Sequence, residues 1–277
     1  MQVAVMTFND IPQQNRTFKY ERLGQMAIQN RRIYCDRHRY RFISDVPLAR
    51  DRPSCWAKIP ALLEAFESNP WVLWADSDTL VFDQAQKIED YCDPAFDMVV
   101  QSHEQFFLQL GIPLAEGLAR MPINTGVFLM RASAWSREFL ERTYAQTQFV
   151  SQGNVWDGIG EQEAMIWLLR QHPEYRQRIK YVEHLQNHPK FYRAGDLFVH
   201  FYGNHAPCRI PPAECEEVFR RWEDANRQGV PFPADLARFH WCCIQNKLLN
   251  GPVIRGDLAH YLYGVEELTP SLEQVAG

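Results

Sequence analysis

Near its start the chain runs Val3-Ala4-Val5-Met6, and residues 2–8 read as a buried strand. Glu21 to Arg39 predicts a helix with Leu23, Ala27 and Tyr34 on its inner face, and Tyr40 to Ser44 predicts a strand ended by Asp45-Val46-Pro47. After Pro53-Ser54, residues 56–68 carry Ile59, Leu62, Leu63 and Phe66 at helical spacing, and Asn69-Pro70 stops the helix. Trp71-Val72-Leu73-Trp74-Ala75 is apolar at every position, the pattern of a strand covered on both faces. Residues 98–101, 123–130 and 197–202 predict further strands. Helices are predicted from Ser133 to about Gln146 and over 161–171. From Pro211 the chain reads as helical again, with Val218, Phe219 and Trp222 inward.

Strands alternating with helices imply an α/β fold built on a mainly parallel sheet. No repeat, low-complexity segment or Gly/Ser-rich linker divides the 277 residues, so a single domain is expected over 1–277.

Composition removes several classes. With 46% hydrophobic and 23% charged residues, disorder is excluded as the main state. The net charge of −5 leaves no dominant basic face, so nucleic acid is not expected as a partner. No run approaches the roughly 18 apolar residues of a membrane helix, and the N-terminus reads as a strand rather than a signal peptide. The seven cysteines (35, 55, 92, 208, 215, 242, 243) form no Cys-x-x-Cys pair, which argues against a zinc ribbon and for reduced thiols in a cytoplasmic protein. Asn15-Arg16-Thr17 matches a glycosylation sequon and is read as chance.

The sharpest chemical feature is Asp76-Ser77-Asp78-Thr79, directly after the apolar strand. Two carboxylates leaving a buried strand can converge on one Mg²⁺ or Mn²⁺, at the strand end where open α/β sheets hold their ligands. A solvated turn rich in Asp and Ser is the plain alternative. A haloacid-dehalogenase-type phosphatase also uses such a pair, but its motif runs Asp-x-Asp-x-Thr/Val after the first strand. Here Thr79 comes one residue too early, after a later strand.

Five segments, in order, decide between these readings: Trp56-Ala57-Lys58-Ile59-Pro60, Trp74 to Thr79, Asn124 to Arg131, Glu161-Gln162-Glu163-Ala164, and Gly195 to Gly203. Together they resemble glycosyltransferase family 34, which contains retaining α-galactosyl-, α-mannosyl- and α-xylosyltransferases, over roughly residues 1–225. The resemblance implies a GT-A fold: one Rossmann-like domain with a mainly parallel central sheet, helices on both faces and a helical C-terminal segment. A donor-binding half would occupy about 1–100, an acceptor- and metal-completing half about 101–210, and the helical segment about 211–277.

Residue by residue, the resemblance implies Asp76, Asp78 and His200 as ligands of Mn²⁺ (or Mg²⁺). It implies donor contacts from Thr7, Lys58, Asp76, Ser77, Asn124, Thr125, Gly126, Gly203 and His205. Gln162 would face the reacting side of the sugar, and Glu161 occupies the neighbouring acidic position. The plain alternatives are a solvated helix lysine for Lys58, a strand-start turn for 124–126, and helix capping for Glu161 and Gln162. The sequence departs from the family at Gly160, where many relatives have Asp. It also lacks the Lys that follows His-x-x-Gly: Gly203-Asn204-His205-Ala206-Pro207 offers only His205 as a substitute cation for the leaving diphosphate.

The expected activity is transfer of a sugar, with an α-linkage, from a nucleotide sugar (UDP-linked) to a carbohydrate, glycolipid or other hydroxyl acceptor. A catalytically silent nucleotide-sugar binder is the alternative that the missing Lys motivates. His103, Phe106, Phe107, Trp156, Tyr192 and Tyr202 are candidate acceptor platforms, and loops 101–122 and 149–160 candidate lids. Without a membrane anchor in the sequence, a cytoplasmic enzyme with peripheral membrane contact is expected.

Overall fold

The computed structural model describes residues 2–9, 18–46, 51–102, 111–150, 160–188 and 195–201, with isolated positions besides. In chain order the elements are β1 (Val3–Met6), α1 (Phe18–His38), β2 (Arg41–Ile43), α2 (Lys58–Ala65), β3 (Trp71–Ala75), β4 (Thr79–Val81), β5 (Met98–Gln101), α3 (Leu114–Arg120), β6 (Val127–Arg131), α4 (Ala134–Tyr144), α5 (Glu161–Gln171), β7 (Ile179–Val182), β8 (Gln186–Asn187) and β9 (Phe198–His200).

Six strands form the central sheet in the order β2-β1-β3-β6-β5-β7. All run parallel except β6, which is antiparallel to both of its neighbours. Successive side chains of each strand serve opposite faces. Ala4, Met6, Val72, Trp74, Met98, Val100, Phe128 and Met130 pack with Leu62 of α2, Phe139 and Leu140 of α4 and Met165 and Leu169 of α5. Val3, Val5, Trp71, Leu73, Ala75, Val99, Val127 and Leu129 pack with Tyr34 and Cys35 of α1 and with Leu185, Leu197 and Phe198. Helices therefore lie on both faces, as expected. On the second face α1 shares the cover with a small sheet ordered β4-β9-β8.

The small sheet is the main feature the hydrophobic pattern did not predict. β4 is antiparallel to β9, with Thr79 opposite His200, so it carries the end of the Asp-x-Asp turn to the late histidine. Its other edge is satisfied by a helix side chain: Asn30 Nδ2 donates to Val81 O at 3.1 Å, and Val81 N donates to Asn30 Oδ1 at 2.6 Å. That amide imitates a neighbouring strand.

Other boundaries shifted for identifiable reasons. The predicted helix over 56–68 begins as a 3₁₀ turn at Ser54–Ala57 and its α-helical part spans only Lys58–Ala65. The predicted strand over 123–130 starts at Val127, because Asn124-Thr125-Gly126 is held as a turn. α3, within a segment read as irregular, and β7 also went unpredicted. Ser133 does cap α4, its Oγ accepting from Ser136 N at 3.1 Å. Of the expected C-terminal helical segment, Glu217, Arg220, Arg221, Asp224 and Gln228 are helical, and most of 202–277 lies outside the described residues. No helix among the described residues is long and apolar enough to cross a membrane.

Leu73 is fully buried at the middle of β3. Leu73→Ala should cost about 2–5 kcal/mol in urea unfolding, since it leaves a cavity between two covered faces.

Candidate active site

The turn after β3 places Asp76, Ser77 and Asp78 half-buried at the carboxyl end of the central sheet. Its backbone is fixed from three sides. Asp76 N donates to Gly126 O at 2.7 Å, Thr79 N to Asp76 O at 3.1 Å, and Phe201 N to Asp78 O at 2.8 Å. The fourth hold is Arg31 of α1, fully buried. Its guanidinium donates to Thr7 Oγ1 (2.9 Å), to Thr79 O (2.9 Å), and by closer contacts to Asp76 O and Thr79 Oγ1. Burial pulls the Arg31 pKa down to about 10, against the opposing pull of Asp76 and Asp78, which leaves it cationic at neutral pH.

Asp76, Asp78 and His200 each offer one ligand atom, and the three atoms lie within 4.8 Å of one another. Two carboxylate oxygens and an imidazole nitrogen suit Mn²⁺ or Mg²⁺. The imidazole supplies the test of fit. His200 Nδ1 lies 3.0 Å from Gln186 Oε1, and His200 Nε2 lies 3.2 Å from Asp78 Oδ1. A neutral ring that donates from Nδ1 turns its Nε2 lone pair toward a carboxylate oxygen, so a proton or a metal ion must reconcile the two acceptors. Burial opposes charge on both aspartates. At Asp76 burial prevails, aided by Asp78 and Glu161, and the pKa is raised. At Asp78 burial is the largest single influence, but His200, a backbone hydrogen bond and Arg31 together outweigh it and the pKa is lowered.

Gly126 has a steric role in this cluster. A Cβ there would fall within the His200 imidazole, so only glycine leaves the ring its place. The turn before it is secured by Asn124, whose Oδ1 accepts from Gly126 N at 2.9 Å. Gln162 Oε1 accepts from Thr125 N at 2.9 Å.

Beneath the turn lies a buried charge cluster. Lys58 Nζ, at the first residue of α2, contacts Glu161 Oε1 at 2.6 Å, Asp76 Oδ1 at 3.2 Å and Thr125 O at 3.3 Å. Lys58 is 2% and Glu161 5% exposed. Burial would depress the lysine pKa, but Asp76 and Glu161 overcome it and raise it. Trp74 Nε1 also donates to Asp76 Oδ1, at 2.6 Å. That oxygen is therefore shared by two donors, leaving Oδ2 as the one turned to other business. Glu161 and Gln162 do not cap α5: Glu163 Oε2 does so, accepting from Gly160 N at 2.8 Å.

The structure thus brings together Lys58, Asp76, Ser77, Asp78, Asn124, Thr125, Gly126, Glu161, Gln162 and His200. Thr7 is fully buried, and its hydroxyl is engaged by Arg31 rather than turned outward. Gly203 and His205 lie outside the described residues, as do His103, Phe106, Trp156, Tyr192 and Tyr202. Phe107 is buried, with its ring against Gly117, and offers no open stacking face. Sequence reasoning missed Arg31, although its spacing from Ala27 and Tyr34 sets it on the inner face of α1. It also missed Gln186, which no local pattern marks.

Two variants test this construction. Lys58→Met should cost about 3–5 kcal/mol in chemical unfolding by stranding buried Glu161, and adding Glu161→Leu should restore most of that loss. Gly126→Ala should displace His200, read as a shift of its imidazole resonances, while circular dichroism retains the α/β spectrum.

Comparison with known proteins agrees with this architecture. The sequence model of the galactosyl transferase GMA12/MNN10 family matches residues 1–95 and 117–210. The Saccharomyces cerevisiae protein named "Probable alpha-1,6-mannosyltransferase MNN10" is 24% identical over 178 residues, covering 57% of this chain and 45% of that protein. The Schizosaccharomyces pombe "Uncharacterized alpha-1,2-galactosyltransferase C1289.13c" is 27% identical over 214 residues, covering 64% of this chain and 55% of that protein. The chain thus spans about half the length of these curated relatives. A glycosyltransferase involved in the glycosylation of the major capsid of PBCV-1 shares the fold, with a TM-score of 0.51 at 16% identity over 74% of this chain and 95% of that one. Sheet order, helical cover and sequence agree: the fold is that of the GT-A glycosyltransferases, and the chain belongs to the galactosyl transferase GMA12/MNN10 family.

Proposed function

We propose that the chain is a metal-dependent, retaining glycosyltransferase that moves a hexose or pentose from a UDP-linked donor to a carbohydrate or other hydroxyl acceptor, forming an α-linkage. The observation that carries this reading is the convergence of Asp76, Asp78 and His200 at the carboxyl end of the sheet. A bound Mn²⁺ or Mg²⁺ would neutralise the diphosphate leaving group as a Lewis acid. The chain's own residues supply the rest. Arg31 and Gly126 hold the Asp76–Asp78 turn, and Lys58 balances Asp76 and Glu161. Gln162, fixed to the Thr125 turn through its Oε1, positions the donor sugar.

Retention then proceeds by front-face substitution. The acceptor hydroxyl enters on the side from which the leaving group departs, and a donor phosphate oxygen takes its proton. Glu161 is assigned to holding Lys58 rather than to attack on the sugar, because its Oε1 is engaged and the side chain is buried. His205 is the proposed cation for the departing diphosphate in place of the family lysine.

Thermal shift with UDP, with and without Mn²⁺, tests the first claim. Stabilisation should require the metal and should vanish in Asp78→Ala, whose side chain belongs to neither hydrophobic cluster. Unchanged Mn²⁺-dependent UDP binding in that variant would remove Asp78 from the metal site. Proton NMR of the product should show an α-anomer from an α-linked donor, and a β-product would reject retention. Because no lysine follows Gly203 within 203–207, a silent binder is the second reading; it predicts UDP and Mn²⁺ binding with no release of UDP from any sugar donor.

A further inference from the structure

Gln186 has no assigned part in the site, yet it is the residue on which the direction of His200 turns. It is buried, in the two-residue strand β8, and both its backbone and its side chain are committed. Its backbone N donates to Gln101 Oε1 at 3.0 Å, and the same oxygen accepts from Leu185 N at 2.8 Å. The Gln101 amide nitrogen donates to Ser102 O at 2.8 Å, so Gln101 is itself oriented. At the far end, Gln186 Nε2 donates to Val127 O at 2.9 Å and lies 3.4 Å from both Asn124 O and Asn124 Oδ1.

Those acceptors decide which way round the Gln186 amide sits. Its NH₂ group faces three oxygens, so its oxygen is the atom that faces His200 Nδ1, 3.0 Å away. With a cation rather than a proton between Nε2 and Asp78, an acceptor there places the ring proton on Nδ1. The lone pair then falls on Nε2, which faces Asp78. A histidine free in water favours the opposite tautomer, with its proton on Nε2, which would put an N–H where a metal must bind. Histidines that ligate metals commonly have their second nitrogen fixed in this way by a hydrogen-bond acceptor.

We infer that Gln186, braced by Gln101, is the positioning residue that holds His200 in its Nδ1-protonated tautomer with Nε2 directed at the Asp76–Asp78 cation site. The same amide ties β8 to the 124–127 turn, so one side chain sets both the ring's tautomer and its distance from Gly126. This inference rests on the metal-site reading above, and its tests separate the failure of one from the failure of the other.

The first test is the tautomer of His200 in the wild-type protein loaded with diamagnetic Mg²⁺ and UDP, read from long-range ¹H–¹⁵N correlations, with the resonance assigned by its loss in His200→Gln. The Nδ1–H form is expected at a pH where the ring is neutral, and the Nε2–H form would overturn the inference. The second test is Mn²⁺ affinity, by electron paramagnetic resonance with UDP present. Gln186→Leu should weaken Mn²⁺ binding by about 10–100-fold and release the tautomer to a mixture. Gln186→Glu keeps an acceptor toward Nδ1, so it should retain the Nδ1–H form and bind Mn²⁺ more tightly than the leucine variant. Wild-type affinity and an unchanged tautomer in Gln186→Leu would overturn the inference and leave the metal site standing. If the wild-type protein binds no Mn²⁺, the metal reading fails and this inference with it. Should Gln186→Leu not fold, Gln186→Glu carries the test: loss of the Nδ1–H form in that variant with its Mn²⁺ affinity unchanged would overturn the inference.

Discussion

The site depends on a positive charge spent on neutral partners. Arg31 gives its protons to the backbone oxygens of Asp76 and Thr79 and to the hydroxyls of Thr7 and Thr79. A guanidinium bound bidentately to either aspartate would be the stronger pair, but it would fill the oxygens a cation needs. By gripping carbonyls instead, Arg31 shapes the turn and lends its field to Asp76 and Asp78 while leaving their acceptor atoms uncovered. Lys58 has a related part from below. It shares one oxygen of Asp76 with Trp74 and puts its main contact on Glu161. Two buried cations thus stabilise a concentration of negative charge without cancelling it.

The second layer is steric and directional. Gly126 yields the volume that the His200 ring fills, and Asn124 holds the turn that presents Gly126. Gln162 secures the same turn from α5 through Thr125 N. The steric and hydrogen-bonding supports of the His200 ring therefore meet along 124–127. A substitution in this segment changes the place of the ring and the anchorage of Gln162 together.

What could be read in the sequence follows from how local each signal is. The strand Trp71–Ala75 and the Asp76-Ser77-Asp78 turn are contiguous, and their chemistry is visible in seven or eight letters. Lys58, Gln162 and His200 were singled out because short motifs surround them, and the structure brings them to one cluster. β4 was missed because Thr79-Leu80-Val81 is too short for alternation and directly follows a turn. Its partners are β9 and the side chain of Asn30, both remote in sequence. Arg31 lies within Asn30-Arg31-Arg32, which in isolation reads as a solvated basic stretch; only its position relative to Ala27 and Tyr34 betrays burial. Gln186 and Gln101 are ordinary polar letters whose meaning comes wholly from long-range partners. For 124–126 the sequence offers both a strand start and a turn, and what settles the turn is Asn124's own side chain together with the remote Gln162.

The antiparallel β6 has a consequence for how the molecule is made. β5 is synthesised well before β6, yet in the sheet it is joined to β3 only through β6. During synthesis the first half of the sheet must wait with β3 and β5 unjoined until residues 127–131 leave the ribosome and slot between them. β4 waits longer still, for β9 near residue 200. The two aspartates therefore emerge early, and the imidazole that completes their cluster belongs to one of the last strands described. Pairing so remote in sequence makes for slow closure, and it means that a chain interrupted before β9 carries the acidic turn without the ligand set. Completion of the Asp76–Asp78–His200 cluster becomes a report that the small sheet has closed.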